Sequence, residues 1–163
     1  MSTKKELFAP VDDDRDPTLR LWIILARAYD AVQTHARADV ARHDLTLAEF
    51  GVLEALYHKG PLLLGEVQRK ILVSSGGITY LMDRLVKRGL VERQPCPTDR
   101  RATYAALTPE GEALIRRIFP EHVRALERAL SGLDAEEKAE AMRLLRRLGL
   151  RAAELEPGEA AGD

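Results

Sequence analysis

The chain has 163 residues, 45% of them apolar and 31% charged, a balance that suits a helix-rich globular protein long enough to bury a real core. Its longest apolar runs, such as residues 21–26, are far too short to cross a bilayer, and Asp12, Asp13 and Asp14 stand where a signal peptide would need an apolar stretch, so no membrane partner and a cytoplasmic location are expected. The net charge of −1 hides a segregation: residues 59–104 hold nine Lys or Arg against four Asp or Glu, a local +5, while the rest of the chain carries −6. Such an asymmetry points to a polyanionic partner more directly than the total does. Nineteen Arg to six Lys, with no Asn, fits either a heat-adapted source or a GC-rich coding bias. The single cysteine, Cys96, excludes an intramolecular disulfide and a multi-thiolate zinc site.

In chain order, residues 1–15 read as a flexible N-terminus. Asp16 and Pro17 form an N-cap and first helical residue, after which Trp22, Leu25, Tyr29, Val32, Ala36 and Val40 recur at helical spacing to about His43. Thr46 and Glu49 make a capping box, with Leu45 placed to staple against Phe50, and open a second helix running to about Tyr57. Gly60 and Pro61 break the chain. A short third helix spans 64–72, and the Ser74-Ser75-Gly76-Gly77 run separates it from a fourth that stops at Gly89. Two short helices joined by a tight turn are the core of a helix-turn-helix.

On the fourth helix Ile78, Leu81, Met82, Leu85 and Val86 share one face, expected inward, while Gly76, Gly77, Tyr80, Asp83, Arg84 and Lys87 share the other. Small residues and free N–H groups at its first turn, with the Ser74 and Ser75 hydroxyls, suit a phosphate or base edge. An ordinary surface helix would show the same pattern, but the next segment changes the context. Residues 90–94 and 102–107 are strand-like and flank a polar loop, Pro95-Cys96-Pro97-Thr98-Asp99-Arg100-Arg101, giving a hairpin with a basic tip. Such a tip can lay a guanidinium into a minor groove, with Asp99 orienting Arg101.

The runs Leu56-Tyr57-His58-Lys59-Gly60-Pro61, Ser75-Gly76-Gly77-Ile78-Thr79, Asp83-Arg84-Leu85, Lys87-Arg88-Gly89-Leu90-Val91-Glu92-Arg93, Asp99-Arg100-Arg101 and Leu107-Thr108-Pro109-Glu110-Gly111 resemble, in order and spacing, the MarR family of transcriptional regulators. The resemblance covers roughly residues 19–148. It implies a mainly α fold with a small β-hairpin wing, a winged helix-turn-helix (46–107) flanked by N-terminal (16–45) and C-terminal (108–155) dimerisation helices. It further implies a repressor that binds duplex operator DNA as a homodimer, is released by a small-molecule effector, and has no cofactor and no enzymatic activity. The DNA contacts expected on this basis are Ser74, Ser75, Gly76, Gly77, Thr79, Tyr80, Arg84, Lys87, Asp99, Arg100 and Arg101. The Trp22 region and the form of the wing resemble the subgroup that answers to quinones and related phenolics. By the same resemblance Trp22, Tyr29, Phe50 and Tyr57 flank a ligand cavity, although plain core packing would also explain them. Cys96 is a redox-sensing candidate or an inert loop residue.

After the wing, Thr108 and Pro109 open a long helix with Leu114, Ile118, Val123, Leu126 and Leu130 as its apolar positions and a kink expected at Pro120, ending at Ser131-Gly132. Asp134 and Glu137 form a capping box for a last helix striped by Met142, Leu145, Leu148 and Leu155. The first helix and these two carry more apolar surface than one small domain covers, which favours a second copy. Residues 156–163 read as a disordered tail. His35, Asp39 and His43 recur at metal-binding spacing, but a solvated helix end explains them and no metal is expected. No nucleophile, base and orienter appear in a usable arrangement, so catalysis is not expected. A winged helix turned to protein contacts, or a small-molecule or redox protein without specific DNA binding, are the alternatives.

Overall fold

The computed structural model describes residues 16–71, 75–96 and 102–155; the segments read as a flexible N-terminus, the residues at the helix-turn-helix turn, the wing tip and the tail lie outside them. Six helices and three short strands follow in the order α1 (Pro17–Ala41), α2 (Leu47–Lys59), β1 (Leu62–Leu63), α3 (Leu64–Ile71), α4 (Ser75–Lys87), β2 (Val91–Pro95), β3 (Thr103–Leu107), α5 (Pro109–Ala129) and α6 (Ala135–Glu154). They divide into two compact units, one reaching Glu127 and the other beginning at Arg128.

The helix starts are set by local chemistry. The Asp16 carboxylate accepts from Thr18 N at 2.7 Å, and this contact holds its carboxyl below the usual carboxylate range. At α2, Thr46 Oγ1 accepts from Glu49 N while Glu49 Oε2 accepts from Thr46 N at 2.8 Å, and Leu45 and Phe50 are both buried beside that cap. Asp134 and Glu137 repeat the reciprocal pattern at α6. The far end of α1 is closed by a distant residue: past Asp44, which has a positive φ of 56°, Arg88 Nη1 donates to the Asp44 carbonyl at 2.6 Å.

The strands form one antiparallel sheet in the order β1-β3-β2, with Leu62 opposite Ala105 and Val91 opposite Leu107. The sequence reading contained the hairpin but not β1, whose two residues are too few to show a period. Below the sheet, Leu53, Val67, Met82, Leu85, Val91 and Ile115 pack into one core in which each is at most 2% exposed. Gly111 lets α5 approach the sheet: a Cβ there would lie 1.9 Å from the Leu90 carbonyl oxygen. Thr108 Oγ1 ties the same corner by donating to the Gly89 carbonyl at 2.6 Å.

Three expectations are corrected. On α4 the inward stripe is Ile78, Leu81, Met82 and Leu85, whereas Val86 is 37% exposed; at 100° per residue it falls on the flank of that stripe. On α5 the buried positions are Gly111, Ile115, Ile118, His122 and Ala125, so Val123 and Leu130 stay exposed. As expected, the helix itself continues past Pro120. Finally, Asp39 is not on a solvated helix end: it is 6% exposed and bonded to His122 of α5, while His43 Nε2 lies 3.4 Å from Glu121 and His35 is exposed. Among the described residues no cluster of three metal-binding side chains occurs.

In the second unit, α6 has no buried residue, and Met142, Leu145, Leu148 and Leu155 are exposed. No helix among the described residues is long and apolar enough to cross a membrane.

Candidate nucleic-acid interface

The core stripe of α4 leaves Thr79, Tyr80, Asp83 and Lys87 exposed on the opposite side of the same helix. Tyr80 is 62% exposed and its ring carries the Arg84 guanidinium 5.8 Å from the centroid. Gly77 and Thr79 sit in the first turns as expected; Ser75 and Gly76 begin the helix, and their side-chain positions, like all of Ser74, Asp99, Arg100 and Arg101, lie outside the described residues. The arms of the wing are described up to its tip, where Cys96 N donates to the Ala102 carbonyl at 3.1 Å. Cys96 is half-buried at that closing pair.

The hairpin does not hang free of the helix. Arg93 on β2 donates to Asp83 on α4 at 2.7 Å, so a residue read as part of the outward face fixes the wing's first arm to the helix beside it. Arg84, expected on the outward face as a DNA contact, also has a partner inside the protein. Its Nε lies 3.1 Å from Oε1 of Glu49, a carboxylate with no exposed surface, and that oxygen has no aligned hydrogen bond of its own. Arg84 therefore neutralises a buried charge of α2 while its side chain remains 41% exposed. The Glu49 role was half legible, since its capping function follows from Thr46, but its pairing with α4 depends on the fold.

A second feature lies within the same unit, between α1, α2, α3 and α5. A cavity of about 700 Å³ is lined by Tyr29, Phe50, Gly51, Ile71 and His122, with Arg37, Lys59, Lys70 and Glu54 among its polar groups. Three cationic side chains to one acid give it a positive character. Gln33 donates to the Tyr29 hydroxyl within it. Of the four aromatic residues expected at a ligand site, Tyr29 and Phe50 reach this cavity. Tyr57 does not; it packs against His58 and Phe119, at 5.2 and 6.4 Å between ring centroids, and borders a separate hollow of about 370 Å³. Trp22 is 64% exposed on α1 near Leu19 and Leu21, two turns before Tyr29, where α1 has run past the core. Asp39, His122, Arg37, Lys59 and Lys70 were not singled out as ligand contacts; Asp39 drew notice only through its i, i+4 repeat, and Lys59 and Lys70 as part of the basic 59–104 segment.

Comparison with known proteins places this architecture. A family model described as MarR family matches residues 43–102. The HTH-type transcriptional regulator MhqR of Bacillus subtilis (strain 168) is 41% identical over 137 residues, covering 84% of this chain and 94% of the relative. The structure of Sco3205, a regulator from Streptomyces coelicolor solved in complex with DNA, superposes with a TM-score of 0.76 at 26% identity, covering 89% of this chain and 92% of that one. BpsR of Bordetella bronchiseptica, whose DNA binding is regulated by 6-hydroxynicotinic acid, superposes with a TM-score of 0.73 at 26% identity, covering 86% and 97%.

Proposed function

Because the chain belongs to the MarR family and is a DNA-binding transcriptional regulator, we propose that it works as a homodimeric repressor that reads a pseudo-palindromic operator and is released by a small phenolic or quinone-type ligand. The observation that carries the DNA-reading part is the pairing of α4 with the wing: the helix turns Thr79, Tyr80 and Lys87 outward, and Arg93 holds the first wing arm to it through Asp83. A helix presented this way enters a major groove with its N-terminal residues on the base edges, while a basic wing tip reaches the neighbouring minor groove. In that reading Ser74, Ser75, Gly76, Gly77, Thr79, Tyr80 and Lys87 face the major groove, and Arg100 and Arg101, oriented by Asp99, supply the minor-groove cations. Arg84 contributes by holding α4 on Glu49 and not chiefly by touching DNA.

Dimerisation is supported by the helices that the chain leaves uncovered. α6 buries none of its residues and exposes Met142, Leu145 and Leu148, and α1 exposes Leu19, Trp22 and Ile24. Burying a Leu or Met side chain in a second copy is worth about 1.5–3 kcal/mol each, which makes these faces the natural contact between protomers. The effector reading rests on the cavity beside Tyr29 and Phe50 and on the ligand regulation of a relative of similar fold. A ligand there relieves repression by favouring a dimer whose two α4 helices no longer match the half-site spacing. The testing experiment is selection of bound duplexes from a random pool followed by footprinting. The expected result is an inverted repeat with half-sites about one helical turn, roughly 10 base pairs, apart; a single asymmetric half-site would refute the dimeric reading.

A further inference from the structure

The C-terminal end of the reading helix is tied to the C-terminal end of α1 by one side chain. The last turn of α1 holds no basic residue, and Arg42, the next in sequence, is turned to the carboxylates of Asp39 and Glu121 at 3.3 and 3.7 Å. Past it the chain reverses: His43 N and Leu45 N both donate to the Val40 carbonyl, Asp44 N donates to that of Ala41, and Asp44 takes a φ of 56°. The carbonyls that follow lie at the negative end of the helix dipole, and Arg88 takes them. Its Nη1 donates to the Asp44 carbonyl at 2.6 Å and its Nη2 reaches that of His43 at 3.5 Å. α4 ends by the same reversal, with Gly89 at φ 68° and Leu90 N donating to the Leu85 carbonyl. The next two residues reach α5: the Gly89 carbonyl accepts from Thr108 Oγ1 at 2.6 Å and the Leu90 carbonyl from Thr108 N at 3.2 Å. The link to α5 is made by main chain, whereas the link to α1 hangs on the Arg88 guanidinium.

Resting on the reading of the chain as a homodimer on an inverted repeat, we infer that Arg88 is a positioning residue for operator binding. Its fork on the α1 carbonyls fixes the angle of α4 to α1, and through α1 the distance between the two reading helices of the dimer. Thr79 stands about 13 Å up α4 from Arg88, so a swing of about 10° about the Arg88 end moves it by about 2 Å. One base pair advances a strand by about 3.4 Å, so that swing is more than half a step of the duplex. Arginine suits the task because its planar donors hold two neighbouring carbonyls at once and so fix a direction, which the point charge of a lysine does not. Arg88 therefore serves DNA recognition from inside the protein, although it belongs to the basic segment and its side chain is exposed.

The test is fluorescence anisotropy of the full chain with the duplex it enriches from a random pool, and with versions whose centre is lengthened or shortened by one and two base pairs, each over a range of salt. The unsubstituted protein is expected to lose about tenfold in affinity on the first misplaced base pair, the scale of a lost base contact. Arg88→Met keeps the apolar stem without the donors; it should bind the enriched duplex several-fold more weakly and lose most of the discrimination between spacings, with its salt slope unchanged. Arg88→Lys should fall between the two, and it carries the same test if Arg88→Met folds poorly. Asp44→Asn removes the carboxylate but keeps the carbonyl and the tolerance for a positive φ, so it should behave as the unsubstituted protein. An equal loss at every spacing, with the log–log salt slope reduced by about 0.9 for each protomer, would make Arg88 a phosphate contact and overturn the inference. Discrimination intact in both Arg88 variants, or lost in Asp44→Asn, would also overturn it and leave the dimeric reading standing. Enrichment of one asymmetric half-site would overturn the dimeric reading, and the role of Arg88 with it.

Discussion

Removing the Arg84 guanidinium separates a structural role from a DNA contact. Glu49 has no exposed surface; its Oε2 is satisfied by Thr46 N at 2.8 Å, but Oε1 has only the Arg84 Nε at 3.1 Å. Breaking a fully buried ion pair costs about 3–5 kcal/mol because a charge is left uncompensated. Here the arginine side chain is 41% exposed, so water can partly replace it, and the expected cost of Arg84→Ala is reduced to about 1–3 kcal/mol. Glu49→Gln keeps an oxygen for the Thr46 cap but removes the charge. In that background Arg84→Ala should therefore cost under about 1 kcal/mol, giving a coupling energy of about 1–2 kcal/mol in a double-mutant cycle measured by urea denaturation. Operator affinity should follow: lowered in Arg84→Ala and largely recovered in the double variant. Stabilities additive within about 0.5 kcal/mol would refute the buried pairing, and an affinity loss unrecovered in the double variant would return Arg84 to direct DNA contact.

Gly111→Ala pushes a Cβ to 1.9 Å from the Leu90 carbonyl oxygen, a backbone atom, so the α5 corner must shift; a loss of about 3 kcal/mol is expected, seen as a fall of roughly 6–12 °C in Tm by calorimetry, and an unchanged Tm would contradict the close approach. Arg101→Ala should weaken operator binding by roughly 1–3 kcal/mol and Asp99→Ala by less, since the latter only orients the former; fluorescence anisotropy showing no change in Arg101→Ala would remove the wing from the mechanism. Deleting residues 134–163 removes the exposed Met142, Leu145 and Leu148 face and should leave a monomer in sedimentation, whereas a folded truncated dimer would place the interface elsewhere. On the proposed reading, in which the cavity and not the thiol receives the ligand, Cys96→Ser should keep its release from DNA by a phenolic ligand; a variant that stays on the operator at ligand levels releasing the unmodified protein would favour covalent sensing at Cys96.

What was legible in the sequence is what short-range chemistry decides. Asp16 with Pro17, Thr46 with Glu49, and Asp134 with Glu137 each act within one helical turn, and each helix starts at the residue after its cap. The hairpin arms were also readable, because Gly89 at φ 68° and the proline-marked loop bracket them. Contacts across the chain were not. The α5 stripe was displaced from Val123 to His122 because the buried partner at that level is Asp39, a polar residue that no apolar period can count. Likewise Arg84 was read only as a DNA contact on the outward face of α4, and only the packing of α4 on α2 puts Glu49 within 3.1 Å of it. Trp22 and Tyr29 share a helical face, yet only Tyr29 reaches the cavity, since α1 extends beyond the core that its second half covers.

Those distant contacts are the ones that could join effector to operator. Phe50 and Glu49 are consecutive in the first turn of α2, about 100° apart around the helix, one lining the cavity and the other holding Arg84 on α4. A ring entering beside Phe50 and His122 bears on the same turn whose neighbouring carboxylate positions the reading helix. Gly51, the next residue, has Ile71 of α3 close enough that a Cβ would stand 3.3 Å from Ile71 Cγ2, so α3 can shift little without α2. Coupling between the sites is limited by the difference in ligand affinity between DNA-bound and released conformations, typically 1–3 kcal/mol, comparable to the Glu49–Arg84 coupling expected above. If α2 carries that coupling, weakening the pair with Glu49→Gln should lower the ligand's effect on operator affinity while leaving its affinity for the DNA-free protein nearly unchanged. An undiminished ligand effect in Glu49→Gln would route the signal through the dimer helices alone.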